Sequence, residues 1–217
     1  MNRKPQNSHI PASSPGNPFG ENFLLTGAVQ PAPTVRMPLR QGYRLDSFRD
    51  PNSRTRLGML AAAASADRLF DLFLELLEPL GDDVHAILES SHGLTDDEHR
   101  DLRRSHIDPC VLSSTFCDYE DLLLEDGCTG VAIVSARKRI EVQFDEHKLL
   151  FIYARDLSPF RKILRRFDVL RLDSLHLIAE ADHTHTSSEA REDEFHRMAS
   201  RMGATDVDAV LSDEAGW

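Results

Sequence analysis

The stretch GVAIVSARKRIEVQFDEHKLLFIYARDLSPFRKILRRF, Gly130 to Phe167, decides the fold. Val131 and Ile133, then Ile140, Val142 and Phe144, then Leu149, Phe151 and Tyr153 recur at every second residue, the period of one face of a pleated strand. Ala136-Arg137-Lys138 and Asp145-Glu146-His147-Lys148 separate the three runs and are short enough for antiparallel hairpins. Ser158 and Pro159 then open a helix, the hydroxyl capping it and the proline accepting the first position. Phe160, Ile163, Leu164 and Phe167 follow the i, i+3, i+4, i+7 spacing of a buried stripe. The expected unit is a small antiparallel sheet with this helix lying on it.

Upstream, Asp50-Pro51 has the form of a helix entry, and apolar residues from Leu57 to Leu80 continue at helical spacing until Pro79 and Gly81. This predicts core helices over Pro51–Leu77, with Ser65 as a second cap. Leu72 and Leu74 widen their apolar arc into a second face, where another helix or a homodimer partner would pack. Val84 to Glu89 alternates as a strand. Thr95 to Glu98 has the form of a capping box, which predicts a polar helix to Ser105, stopped by Asp108-Pro109. Val111–Phe116 reads as a strand and Tyr119–Leu124 as a short helix. Downstream, Leu175–Ala181 reads as a strand, and a thin stripe of Phe195, Met198, Ala199 and Met202 as a last, weakly docked helix.

Seven of the eleven prolines fall within the first 38 residues, and no hydrophobic period survives among them. Such a segment buries too little apolar surface to offset the entropy of ordering it, so residues 1–42 are expected to be disordered. The whole reads as one α+β domain over residues 43–181. It has a mostly antiparallel sheet of about four to five strands under two to four helices, followed by an acidic helix and mobile tail over 182–217.

The chain carries a formal net charge of −11, unevenly spread. Arg3, Lys4, Arg36 and Arg40 face Glu21 alone in the first forty residues, whereas acids outnumber Arg191, Arg197 and Arg201 from Glu180 onward. An acidic body repels phosphate backbones, which argues against nucleic acid as a partner. Cys110, Cys117 and Cys128 have no CxxC spacing and no even pairing, as expected of reduced thiols in a cytoplasmic protein. No secretory signal is visible, and the longest apolar run is too short for a bilayer, so no membrane association is expected. Phosphate-binding glycine loops, the dinucleotide fingerprint, the GxSxG elbow, HExxH and the kinase signatures are all absent from the sequence.

Three features carry candidate chemistry. Arg161, Lys162, Arg165 and Arg166 lie opposite the apolar stripe of the covering helix, a cationic face on an acidic protein. No aromatic residue interleaves them, so the face suits an acidic protein partner better than stacked bases. His183 and His185 are two apart on an extended segment and point to one side, where two imidazoles can hold a divalent ion such as zinc. Glu180, Cys128, His147 or Glu192 would have to complete the set through the fold. His147, beside Asp145 and Glu146 at a hairpin tip, is the proton-transfer candidate. Histidines 85, 92, 99 and 106 recur at sevens, an interval that no continuous helix gives meaning to. Two functions follow. The first is a non-enzymatic regulatory module without a cofactor, which captures an acidic partner through the basic helix face; charge reversal at Arg161 and Arg165 would then abolish capture without unfolding the chain. The alternative is a small metal-dependent hydrolase built on His183 and His185.

Overall fold

The computed structural model describes residues 23–49, 56–93 and 99–206. In chain order these form β1 (Val29–Pro31), β2 (Gly42–Arg49), β3 (Arg56–Ala63), α1 (Ala66–Leu76), β4 (Val84–Ser90), β5 (Arg100–Ile107), α2 (Pro109–Asp118) and α3 (Glu120–Glu125). They continue with β6 (Thr129–Ser135), β7 (Ile140–Phe144), β8 (Leu150–Ala154), α4 (Ser158–Arg166), β9 (His183–His185), α5 (Glu189–Met202) and β10 (Thr205–Asp206). Eight strands make one antiparallel sheet in the order β10-β5-β4-β6-β7-β8-β3-β2, and β1 pairs with β9 apart from it. The architecture is α+β, with a sheet larger than the four to five strands expected. No helix among the described residues is long and apolar enough to cross a membrane.

The sheet is covered on both faces. Leu60 and Ala62 of β3 share a core with Val131, Ile133, Val142, Phe144, Leu150 and Ile152 and with the helices. In that core the Phe73 ring of α1 lies 5.6 Å from Phe116 and 5.1 Å from Phe144. Ala61 and Ala63, pointing the other way, join Leu149 with Phe23, Val29, Leu39, Leu175, Leu177 and Ile178 in a second cluster.

The quoted stretch folds as β6-β7-β8-α4, and Phe160, Ile163 and Leu164 are buried as expected, but Leu157 rather than Ser158 holds the cap position and makes no side-chain capping hydrogen bond. In β8, however, Leu150, Ile152 and Ala154 face the helices, not Leu149, Phe151 and Tyr153. The turn sets this register: Asp145 N–H donates to Leu149 O at 3.0 Å, and a one-residue shift flips every side chain.

Several expectations are corrected. Arg56–Ala63 is a strand paired along its length with β2, not part of a helix. Its apolar run is buried on both faces, so it lacks the polar side that would reveal its period. Asp50-Pro51 and Thr95–Glu98 lie outside the described residues. The expected polar helix after them is β5, whose backbone satisfies the free edge of β4. Asp108-Pro109 starts a helix where a stop was expected. Asp108 accepts from Cys110 N–H at 2.7 Å, and Val111–Phe116, expected as a strand, belongs to α2. Leu175–Ala181 is irregular, ending in a 3-10 turn at Ile178–Glu180, because Leu175, Leu177 and Ile178 anchor it beneath the second face.

Both ends of the expected domain extend further. Residues 1–22 lie outside the description, but from Phe23 the chain is packed rather than disordered: Phe23, Ala28, Val29 and Leu39 are buried and β1 is paired. At the other end α5 buries Phe195, Met198, Ala199 and Met202 in the main core, and β10 extends the sheet beside β5. Gly203, at φ 65°, ends α5 in the left-handed conformation that glycine adopts without a Cβ penalty.

Candidate functional site

The β7–β8 turn, residues 145–149, is held by a single carboxylate. Asp145 Oδ1 accepts from Leu149 N–H at 2.8 Å, and Oδ2 lies 2.9 Å from His147 Nδ1. The turn and the imidazole are therefore fixed by one side chain. Lys148, with φ 62°, takes the left-handed position of the turn, a position that favours glycine. Its ammonium is buried and donates to Thr129 O at 2.8 Å, and burial pushes its pKa down to about 8. Burial alone would lower His147 as well, but the hydrogen bond and charge of Asp145, with Glu146 beyond, outweigh it and raise the imidazole above its ordinary value.

β9 brings the other two imidazoles. Its pairing aligns His183 with Pro31 and His185 with Val29, so both histidines occupy the same side of an extended strand. His183 Nδ1 lies 2.7 Å from Ala181 O, and His185 Nδ1 donates to Gly127 O. The Gly127 backbone reaches this point because it has no side chain. A Cβ there would overlap Ala28 O and stand 3.0 Å from Thr186 N. Gly127 N–H donates to Thr186 O at 2.8 Å and Thr186 N–H to Ala28 O at 2.7 Å, which ties three distant segments together.

These supports aim three rings at one another. His147 stands 4.8 Å from His183 and 4.8 Å from His185 by ring centroid, and the latter two are 5.0 Å apart. One ligand nitrogen from each falls within 4.8 Å of the others. Every Nδ1 faces an oxygen acceptor, which assigns its proton there and leaves each Nε2 with a free lone pair. His183 Nε2 and His185 Nε2 face each other 3.0 Å apart. A pair so placed is bridged by one shared proton or by a metal cation; imidazoles at the usual zinc distance of about 2.0–2.1 Å would stand roughly 3.3 Å apart in a tetrahedron. Carbonyl or carboxylate acceptors on the far nitrogen are the usual outer support of such ligands.

Of the residues named from sequence, His183 and His185 thus converge, and His147 joins them as a ligand candidate in addition to its expected proton-transfer role. Glu180 is engaged elsewhere, paired with Arg44. Cys128 lies instead near His92 and Asp126. The basic face of α4 is divided: Arg161 Nε donates to Tyr43 OH at 3.3 Å, Arg166 pairs with Glu75, and Lys162 and Arg165 are exposed. His85 and His106 meet edge to face at 4.8 Å across neighbouring strands at the opposite end of the sheet. Sequence reasoning missed Gly127 and Ala181, which act through backbone oxygens and leave no side-chain signal. Asp145 stands beside His147 in the sequence, but only the turn geometry makes it the anchor of that ring.

A narrow apolar pocket lined by Phe23, Leu25, Val29, Leu39 and Ile178 borders His147 and Lys148. With about 20 Å³ it holds roughly one water, so a reactant would approach from the exposed side at His185. Compared with protein-family models, curated proteins and solved structures, the chain matches none.

Proposed function

We propose that the protein is a metal-dependent hydrolase whose centre is a zinc-type divalent ion held by Nε2 of His147, His183 and His185. The observation that carries this reading is the convergence of three imidazoles whose far nitrogens are all tied to oxygen acceptors. Three neutral protein ligands with one open side suit a catalytic rather than a structural site. When bound, such an ion supplies Lewis acidity and activates water near neutral pH. The chain's own groups orient the site: Asp145 fixes His147, and the carbonyls of Gly127 and Ala181 fix the pair on β9. The acceptors also hold the Nδ1 protons, so that each ring presents its basic nitrogen inward.

Elemental analysis of untagged, zinc-reconstituted and desalted protein tests the proposal, with hydrolysis of an activated ester as the activity readout. The expected result is zinc-dependent hydrolysis and one equivalent of bound zinc that are both lost in H183A/H185A and in H147A. Asp145→Asn, which keeps the turn but weakens the His147 anchor, is expected to lower zinc affinity about 10–100-fold. Folded wild-type protein that retains no ion, or a double variant that binds as much zinc as the wild type, would overturn the reading.

A further inference from the structure

We propose that His92, Asp126 and Cys128 form a second zinc site, distinct from the three-histidine centre. His92 follows β4, while Asp126 and Cys128 flank Gly127 between α3 and β6. The hydrogen bond from Ser91 N–H to Cys128 O, at 3.0 Å, holds the two loops together. One nitrogen, one carboxylate oxygen and one sulfur of these residues lie within 4.8 Å of one another.

Two buried atoms point to a missing ligand. The Asp126 side chain has 0% exposure and that of His92 5%. His92 Nε2 lies 3.1 Å from Asp126 Oδ2, and the Ser187 and Thr129 hydroxyls also approach the carboxylate, yet neither Nε2 nor Asp126 Oδ1 has a well-aligned hydrogen bond among the described residues. An unpaired buried polar group costs about 1–3 kcal/mol. A cation among these atoms would satisfy both. The remaining positions are already supported: His92 Nδ1 lies 2.8 Å from Ser90 Oγ, and Thr129 Oγ1 donates to Asp126 Oδ2. Outer contacts of this kind orient metal ligands.

The donor set selects the ion. Thiolate and imidazole favour zinc over calcium or magnesium, which prefer all-oxygen shells. Binding is balanced by releasing the Cys128 thiol proton to solvent as the sulfur–zinc bond forms, so that thiolate and carboxylate together neutralise the ion. The Lys148 ammonium is within electrostatic reach of Asp126 and Cys128, but Asp145 and Glu146 offset it. Cys128 is only half-buried and gives the ion its route in.

Cobalt(II) titration of the metal-free protein tests this site separately from the other, because only a cysteine ligand gives a thiolate-to-cobalt charge-transfer band in the near ultraviolet. We expect two equivalents of cobalt with that band. Cys128→Ser should lose the band and one equivalent, whereas H183A/H185A should lose one equivalent and keep the band. A single equivalent without the band would overturn the second site and leave the three-histidine centre standing; a band that survives Cys128→Ser would also overturn it. Should the variant not fold, alkylation of the wild-type protein decides. Zinc should protect Cys128 while the exposed Cys110 and Cys117 still react, and equal labelling of Cys128 with and without zinc refutes the proposal.

Discussion

At the scale of single residues, Glu89 is the clearest case of burial acting against charge. Burial, with the nearby Asp101 carboxylate, pushes its pKa up to about 7, although Gln143 Nε2 donates to Oε1 at 3.2 Å. The folded state therefore holds a proton that the unfolded chain has already released. This contribution to stability is fully present below the ordinary carboxylate range and is lost as pH rises through about 7. Allowing for its partial exposure, the loss is about 2 kcal/mol. Urea unfolding at pH 5 and pH 8 should show this fall in the wild type and not in Glu89→Gln; an equal fall in both would assign the pH dependence to other groups. The same scale limits what sequence reveals of the site. His183 and His185 were legible because strand periodicity puts residues two apart on one side. Their anchors were not, since a backbone carbonyl is common to every residue and only the fold selects Gly127 and Ala181.

Secondary-structure elements were legible where amphipathic period and punctuation agreed. β6, β7 and β8 alternate between polar spacers, and α4 carries its stripe behind Ser158-Pro159. They were illegible where one face of information was missing. β3 is apolar on both sides, and β5 is polar on nearly all of its length, so neither shows the contrast that separates a two-residue period from a helical one. Helix α5 shows the opposite error. Its stripe is thin in sequence, yet Phe195 has 0% exposure inside the main core. Phe195→Ala is therefore expected to cost about 3–5 kcal/mol in chemical denaturation. A loss below about 1 kcal/mol would restore the weakly docked helix expected from sequence.

Across the whole molecule, the candidate centre joins segments remote in sequence: the α3–β6 loop at Gly127, the β7–β8 turn at His147, and β9. β9 is held in turn by β1, which lies in the proline-rich segment that composition alone marks as disordered. A ligand bound only in this assembled state stabilises the entire fold, by about 2.7 kcal/mol at a free concentration a hundred times its Kd. Zinc should accordingly raise the thermal midpoint of the wild type by more than that of H183A/H185A; an equal shift in both would place the stabilising zinc elsewhere.

The sequence by itself determined the α+β class, the central hairpins with their covering helix, the charge asymmetry and the two adjacent histidines of β9. Each of these is local, resting on periods of two or 3.6 residues, on the placement of proline, or on composition. Only the tertiary structure decided that Arg56–Ala63 joins the sheet, that Phe23 to Pro31 is packed and paired, and that His147 meets His183 and His185. Those outcomes depend on backbone hydrogen bonds and burial between residues far apart in the chain, and such pairings are chosen by which unsatisfied edge or apolar face lies within reach once the local elements have formed.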